Sequence, residues 1–518
     1  MIYIDKTSGI PLYKQIYSSI ASDILTGVIP SGHRLPSTRK LAQELSVGRN
    51  TAEKAYKQLE AEGYITARAG SGFTAEKIPL DFSGGFSADF SAKLQPAVSL
   101  RSPHKAGTDS GIMPDACSTR PPAPRKPQSD GRTRSADSDG AVIPTVDSTH
   151  AGAVQPVYDF IYGSMDSTVF PYKQWRRCMN DALTKMELEP ALHYPARYGQ
   201  PELQAAIAGY LRCSRNVTCD PEDILITPGQ QHSMEILANL FEGDSLRFAM
   251  EEPGYDGIRE VFAQNGSEII PVDVERDGIS LTSLEKTSAD LLYLTPSHQF
   301  PTGSVLSVAK RRLLLQWAQD SGTYIIEDDY DSELRYFTDP IPAMQSMDGA
   351  NMTIYTGTFS KSLAPVMRTA YMILPPELKA RYTSRYGRYN AFVPTLHQLT
   401  LAGFIDEGFY EQHINRLRTL YRKKHTALLR AVDEVFGDKV KITGEGAGIH
   451  LLIDVKCGLT QEDLIARAAA AGIRLYPTRA LYAVEGNAPQ HQLLLGFPLV
   501  PESAFIGIMA KLHDAWEM

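Results

Sequence analysis

The sequence predicts two folded units of different class: a small α+β head, then a large α/β body with a mostly parallel sheet, joined by a flexible linker. Three observations predict it. Helical periodicity crowds residues 10–75. Pro, Ser, Gly, Asp and Arg take over from about 80 to 155. From about 157 onward, short apolar runs alternate with helical stretches. The expected units are 1–76, 77–156 and 157–518. The last divides into a large part over about 200–395 and a small part over about 396–518 together with 157–199.

The bulk numbers narrow the function. A chain of 518 residues holds two or three domains. A net charge of −8 excludes a whole-surface affinity for nucleic acid, so any DNA contact must come from a local patch. Five scattered cysteines without a CxxC pair read as free thiols in a reducing compartment, with no disulfide frame and no metal site. The N-terminus shows no apolar signal core, and no apolar run approaches the roughly 20 residues of a membrane span. A cytoplasmic protein without a membrane partner is expected.

In the head, Leu12, Ile16, Ile20 and Ile24 recur at helical spacing and give a first amphipathic helix ending at Gly27. Leu35-Pro-Ser-Thr-Arg-Lys-Leu-Ala-Gln-Glu-Leu45 predicts a second helix, N-capped by Ser37, with Leu41 and Leu45 inward. Ser46-Val-Gly48 makes a turn, and residues 49–63 form a third helix. Its first turn carries Arg49, Asn50 and Thr51, side chains suited to base edges in the major groove. Residues 64–74 alternate and turn on glycines, as a two-strand wing does, with Arg68, Gly70 and Gly72 near the DNA backbone. Arg34 and Arg39 add positive charge. Residues 1–75 hold nine Lys/Arg against six Asp/Glu, so the ordered motif carries the reading more than the charge does. The order "LPS-x-R-x-LA…V-x-R-x-T…AY-x-x-L-x-x-x-G" resembles the GntR family of winged helix-turn-helix regulators. The resemblance implies a double-stranded DNA operator, with Arg39 and Arg49 as principal contacts.

Residues 77–156 bury too little apolar surface to offset ordering, so a flexible linker is expected. Its basic cluster between Arg120 and Arg134 reads as solvated. A coil of about 75 residues spans roughly 50 Å, which lets the head reach far from the body.

In the body, Asp223–Thr227, Asp290–Thr295 and Tyr324–Glu327 read as buried parallel strands, with helices over residues 232–241 and 310–321 between them. The most telling stretch is Tyr355-Thr-Gly-Thr-Phe-Ser-Lys-Ser-Leu-Ala-Pro-Val-Met-Arg368. Lys361 sits among hydroxyls, with an arginine seven positions on. A lysine that forms a Schiff base with pyridoxal 5'-phosphate needs this company: Thr358, Ser360 and Arg368 hold the phosphate. Residues 325–336 set acids just past a buried strand. A carboxylate there pairs with the pyridine nitrogen; Asp328 is assigned, with Asp329 as the alternative. Tyr330 would bond the ring hydroxyl. In Thr227-Pro-Gly-Gln-Gln-His232, the amides of Gly229, Gln230 and Gln231 open a helix and form a phosphate cup. Tyr255 would stack over the ring.

Together with Thr295-Pro-Ser-His-Gln-Phe-Pro-Thr-Gly303, these elements resemble the fold-type I aminotransferases over some 360 residues. Two departures bear on activity. Phe300 stands where those enzymes place an asparagine, with His298 or Gln299 as stand-in. Their late-strand arginine is missing from Leu493-Leu-Leu-Gly-Phe497; the nearest replacement as an effector grip is Arg479, with Arg259 and Arg197 weaker candidates. The full layout, with "S-H-Q-F-P-T-G", "E-D-D-Y-D-S-E" and "G-T-F-S-K-S-L-A-P", is similar to the MocR subfamily of GntR regulators. That likeness implies a homodimeric transcription regulator rather than an enzyme, sensing an amine, an amino acid or the cofactor itself through an aldimine at Lys361. A working aminotransferase with an accessory DNA-binding head is the alternative.

Overall fold

The computed structural model describes residues 4, 11–68, 72–78, 158–241, 245–336 and 341–518. Apart from residues 77 and 78, the expected linker lies outside the described residues.

The head contains α1 (Leu12–Leu25), α2 (Thr38–Glu44), α3 (Arg49–Ala61), β1 (Ile65–Arg68) and β2 (Gly72–Ala75). Ile16, Ile20 and Ile24 of α1 pack with Leu41 and Ala42 of α2 and with Ala52, Ala55, Tyr56 and Leu59 of α3. Ser37 accepts the Lys40 amide at 3.2 Å and caps α2. Leu45, expected inward, is only partly buried because it already belongs to the turn. The wing is an antiparallel pair with Ile65 opposite Ala75 and Arg68 opposite Gly72. Tyr56 ties the pieces together. It meets the edge of Phe73 at 4.8 Å and donates its hydroxyl to the Pro36 carbonyl at 2.9 Å. The same apolar cluster takes in Val308 and Ile341 of the body.

The body begins with β3 (Tyr158–Asp159), α4 (Tyr172–Leu188) and α5 (Pro201–Arg215). The large sheet is then laid down by β4 (Ile224–Thr227), α6 (Gln230–Leu240), β5 (Arg247–Glu252), α7 (Asp256–Gln264), β6 (Glu268–Glu275), β7 (Gly278–Ile279), the short α8 (Leu281–Leu284) and β8 (Leu291–Leu294). It continues with α9 (Val308–Ser321), β9 (Tyr324–Asp329), β10 (Thr353–Thr358) and β11 (Ala370–Ile373). Helices α10 (Pro376–Tyr386), α11 (Thr395–Asp406) and α12 (Phe409–Phe436) follow. The chain ends in β12 (Val440–Thr443), β13 (His450–Val455), α13 (Gln461–Ala470), β14 (Ile473–Arg474), β15 (Tyr476–Pro477), β16 (Gln492–Gly496) and α14 (Phe505–Trp516).

Strand order in the large sheet is β4-β11-β10-β9-β8-β5-β6-β7. β11 runs against both its neighbours and β7 closes a hairpin on β6, while β10, β9, β8, β5 and β6 are mutually parallel. The central parallel strands are buried along most of their length, as burial on both faces requires; β8 is Leu-Leu-Tyr-Leu, every residue buried, while β9 turns acidic at its carboxyl end. A second sheet, β12-β13-β16-β15, is antiparallel and forms the smaller part with α13 and α14, while β3 pairs in parallel with β14.

One division drawn from the sequence needs correction. The expected small part includes all of residues 157–199. Only their first stretch goes there: Phe160 packs with Leu451 and Leu493. Trp175 and Cys178 of α4 pack with Leu401 and Phe404 of α11 and with Tyr355 under the large sheet. Helix α12 spans both parts, with Tyr410 and Ile414 in the large core and Leu417 to Phe436 in the small one. Amphipathic helices carry no label of which core they serve, so composition could not place this boundary.

Tyr56→Ala removes the aromatic centre of a small core, at a cost of about 3–5 kcal/mol. Calorimetry of the full chain should show the head melting at much lower temperature, with the body's transition unmoved.

Candidate functional site

The carboxyl ends of β4, β5, β8, β9 and β10 converge on one cleft between the large and small parts, the place where open α/β sheets bind ligands. The loop after β10 brings Lys361 to its floor. The Lys361 Nζ lies 4.1 Å from the centre of the Tyr162 ring, and a β-carbon on Gly163 would collide with it. Desolvation brings the lysine down to about 8, against the pull of Asp331 and Asp328.

Asp328 sits on β9 facing the same cleft. One carboxylate oxygen accepts the Tyr293 hydroxyl at 2.5 Å; the other is buried with no close hydrogen bond, and the Gln230 side chain stands beside the group. Burial pushes this carboxyl up to about 7, with Tyr293 opposing and the Asp329 charge adding to the rise. Its neighbour on the opposite strand face meets an arginine through one of its two oxygens, while the other has no close hydrogen bond. Asp329 accepts Arg215 Nε at 2.6 Å and the Tyr355 hydroxyl at 2.5 Å. Although burial opposes it, the Arg215 charge holds Asp329 below the usual carboxylate range.

At the sheet's other side, Gly229 precedes α6 with φ 119° and no side chain caps the helix, so the amides of Gln230 and Gln231 begin a turn open at its N-terminus. The Arg368 guanidinium lies against Gly229, where any β-carbon would strike it. Thr358 Oγ1 accepts the Ser360 amide at 3.2 Å and donates to its hydroxyl at 3.0 Å, so the two hydroxyls stand together. Glycine is required at 229 both by its φ and by the guanidinium.

Aromatic side chains wall the cleft. Phe300 lies 4.8 Å from Tyr162 and 5.7 Å from Tyr255, ring centre to ring centre. The Tyr330 hydroxyl donates to the His298 carbonyl at 2.9 Å. His298 Nδ1 lies 2.8 Å from Asp331 and 3.1 Å from the Tyr330 hydroxyl. Gln299 is occupied elsewhere, donating to the Pro253 carbonyl at 2.8 Å and accepting from Thr302 at 2.7 Å.

The structure therefore gathers Lys361, Asp328, Tyr330, His298, Tyr255, Gly229, Gln230, Gln231, Thr358, Ser360 and Arg368 around one cleft. It does not gather Arg479. That guanidinium is 39% exposed and ion-paired with Glu462 at 3.0 Å, a partner that no spacing in the sequence announced. Arg259 donates to the Ala480 carbonyl, and Arg197 is exposed. Sequence reasoning missed Tyr162, Gly163, Asp331 and Arg215. Asp331 lay inside a stretch already singled out, whereas Tyr162 and Gly163 come from a short apolar segment with no chemical signature.

In the head, Arg34, Arg39, Arg49 and Asn50 are exposed, and Thr51 is half-buried in the first turn of α3. Arg49 and Asn50 begin α3 at its N-terminus, and Gly72 opens β2 beside the Arg34 side chain. The Arg68 side chain and Gly70 lie outside the described residues.

Residues 12–74 match the family model of bacterial regulatory proteins, gntR family, and residues 163–490 match aminotransferase class I and II. The fold and site thus define a winged helix-turn-helix head fused to a fold-type I aminotransferase body, a class whose enzymes depend on pyridoxal phosphate. The chain is 35% identical over 517 residues to an uncharacterized HTH-type transcriptional regulator, YdeL, of Bacillus subtilis, covering 100% of this chain and 99% of that one. It is 32% identical to the probable rhizopine catabolism regulatory protein MocR of Rhizobium meliloti, over 96% and 92% of the two chains. Among solved structures, LysN, an alpha-aminoadipate aminotransferase of Thermus thermophilus complexed with N-(5'-phosphopyridoxyl)-L-leucine, is 26% identical with a TM-score of 0.61, over 69% of this chain and 92% of that one. This chain belongs to the GntR family of bacterial regulators, among its MocR-like members.

The raised Asp328 value carries a stability signature. Its folded value, about 7, lies above the unfolded one near 4. The protonated form is the one folding favours, so the contribution is complete at low pH and lost as pH rises toward 7. In cofactor-free protein, Asp328→Asn should raise the thermal midpoint at pH 8 by about 2–4 °C and change little at pH 4. Scanning fluorimetry at the two pH values checks this.

Proposed function

We propose that this chain is a pyridoxal phosphate-dependent, DNA-binding transcription regulator that senses an amine, an amino acid or the cofactor itself at Lys361. The observation that carries the reading is the buried Lys361 sharing one cleft with the buried Asp328 carboxyl, whose charge acts on it. A buried carboxylate so placed suits a protonated pyridine nitrogen, which brings both a charge and an N–H donor. The open turn at Gly229–Gln231, the two hydroxyls and Arg368 fit a phosphate dianion, and Tyr255 suits a stacking partner over a flat ring. When bound, the cofactor supplies an aldehyde and an electron-withdrawing ring.

The chain's own residues do the rest. Desolvation keeps part of the Lys361 population neutral, roughly one amine in ten at pH 7, against fewer than about one in a thousand for an ordinary lysine. Asp328 rather than Asp329 faces the ring in this reading, because Asp329 is already committed to Arg215. Tyr330 and His298 present the polar edge that an asparagine provides in the enzymes. An incoming amine competes with Lys361, and its differential affinity for two arrangements of the cleft shifts their populations.

A homodimer fits this reading: Leu188, Leu192, Tyr194, Val366, Tyr389 and Phe392 are large apolar side chains left exposed on the body. Two heads would then meet two half-sites, Arg49 and Asn50 at base edges and Arg34 and Arg39 at phosphates. No helix among the described residues is long and apolar enough to cross a membrane, and a cytoplasmic location accords with an operator as partner.

Lys361→Ala should abolish the visible absorbance of lysine-bound cofactor while leaving the fold intact by circular dichroism; persistence of the full band would overturn the reading. In wild type, the rate of cofactor capture should climb with pH and level off above about 8, as stopped-flow absorbance would record. Arg39→Ala should weaken DNA binding almost equally for all sequences and reduce the salt slope by about 1, whereas Arg49→Ala should cost about 1–3 kcal/mol and relax specificity.

A further inference from the structure

The head is seated on the body, and the seat adjoins a cleft segment. Val308 and Ile341, at 1% and 0% exposure, share one apolar cluster with Ile16, Tyr56, Leu59 and Tyr64 of the head. The Val308 amide donates to the Glu62 carbonyl at 2.9 Å. A β-carbon on Gly63 would stand 2.7 Å from the Ser307 β-carbon, so the corner between α3 and β1 lies directly on the start of α9. The Glu62 side chain is buried there, accepting Tyr17 at 2.6 Å and Gln58 at 2.5 Å, and the Arg311 and Arg335 charges of the body act on it.

The residues leading into that seat are those that wall the cleft. His298 and Phe300 lie ten and eight positions before Val308. Between them and α9 the backbone closes on itself: the Leu306 amide donates to the Pro296 carbonyl at 3.0 Å and the Gln299 amide to the Ser304 carbonyl at 2.8 Å. Arg311, wholly buried on the first turn of α9, donates to the carbonyls of Pro296 at 2.9 Å, Leu306 at 3.0 Å and Pro342 at 3.0 Å. One guanidinium therefore clamps both ends of the loop and the segment bearing Ile341. Arg215 holds the near end, donating to Ser297 Oγ at 2.7 Å. A loop tied in this way leaves its two ends little room to move independently.

We propose that residues 296–308 are a strut between the Lys361 cleft and the seat of the head, so that what fills the cleft sets how firmly the α3–β1 corner is held. The inference rests on the reading of Lys361 as the cofactor's anchor. Its partner surface is this chain's own head. His298 and Phe300 move with the occupant, Arg311 carries the movement to Ser307 and Val308, and the orientation of α3 follows, because its last turn is bonded to Val308.

Hydrogen exchange of the full chain tests it, with and without added pyridoxal phosphate, alongside absorbance of the same samples. Two variants break the seat from opposite sides. Val308→Asp places a charge in the contact while suiting a helix N-terminus. Gly63→Asn keeps a residue tolerant of positive φ after α3 but pushes on Ser307. Exchange at the amides of residues 62–64 and 308 should rise about tenfold or more in both variants, with α1 and β9 unchanged. Loading the wild type with cofactor should change exchange at those amides by about threefold or more, and that response should vanish in both variants. If the cofactor band forms and exchange at residues 62–64 and 308 stays the same, or if neither variant alters it, the strut is refuted. If no band forms, the reading of Lys361 falls and the strut falls with it.

Discussion

Three consecutive carboxylates at the end of β9 impose the constraint on which the site depends. Glu327, Asp328 and Asp329 are all buried. Isolated charges there would cost several kcal/mol each. Strand geometry separates them: Glu327 and Asp329 point to one face and Asp328 to the other. On the first face Arg215 meets Asp329 at 2.6 Å, and Arg311 stands 3.6 Å from Glu327, which also accepts the amides of Met344 and Gln345. On the cleft face Tyr293 and Gln230 answer Asp328. An oxygen without a close hydrogen bond remains on each face, at Asp328 and at Asp329, but Asp329 meets an arginine. Asp328 is thus left as an acid without an ion-pair partner of that kind, beside a lysine whose ammonium is itself made costly by burial.

This explains what the sequence could and could not reveal. The alternation of apolar runs and helices was enough for the α/β body, and the order of turn, cap and arginine residues was enough for the head. Lys361, Arg368 and Gly229 were legible because each follows a strand in a motif short enough to be read locally. The choice between Asp328 and Asp329 was not legible, since it turns on Arg215, more than 100 residues upstream on a helix with no distinguishing pattern. Arg479 shows the reverse case: a late arginine at a plausible spacing stands ion-paired with Glu462, a contact set by the packing of α13 and not by any local pattern. The split of α12 between two cores was likewise invisible, because its apolar stripe runs unbroken for 28 residues.

Phe300 changes the character of the cleft relative to the enzymes it resembles. An asparagine there would present an amide to the ring hydroxyl. Phe300 instead joins Tyr162, Tyr255 and His450 in an aromatic wall. The polar work falls to Tyr330 and His298, whose groups are bonded to one another and to Asp331. A bonded network of this kind holds a ligand in one pose but has less freedom to follow charge as it moves along a reaction. In the proposed reading that suits occupancy better than turnover, since a sensor needs two arrangements of different affinity and no rapid chemical step between them.

Charge distribution completes the division of labour. The first 75 residues carry nine basic against six acidic side chains, a surplus of three, while the whole chain is at −8, so the remainder stands at −11. A body this acidic repels phosphate, and the head's surplus is too small to overcome that at close range unless it is turned outward. How the α3–β1 corner is seated on α9 therefore bears on affinity as well as geometry: a head held with Arg39 and Arg49 facing solvent offers its charge to DNA, whereas a loosened head samples orientations in which the body's field opposes binding. In the proposed coupling, a change of about 1–3 kcal/mol in the cleft is of the size that would alter that balance.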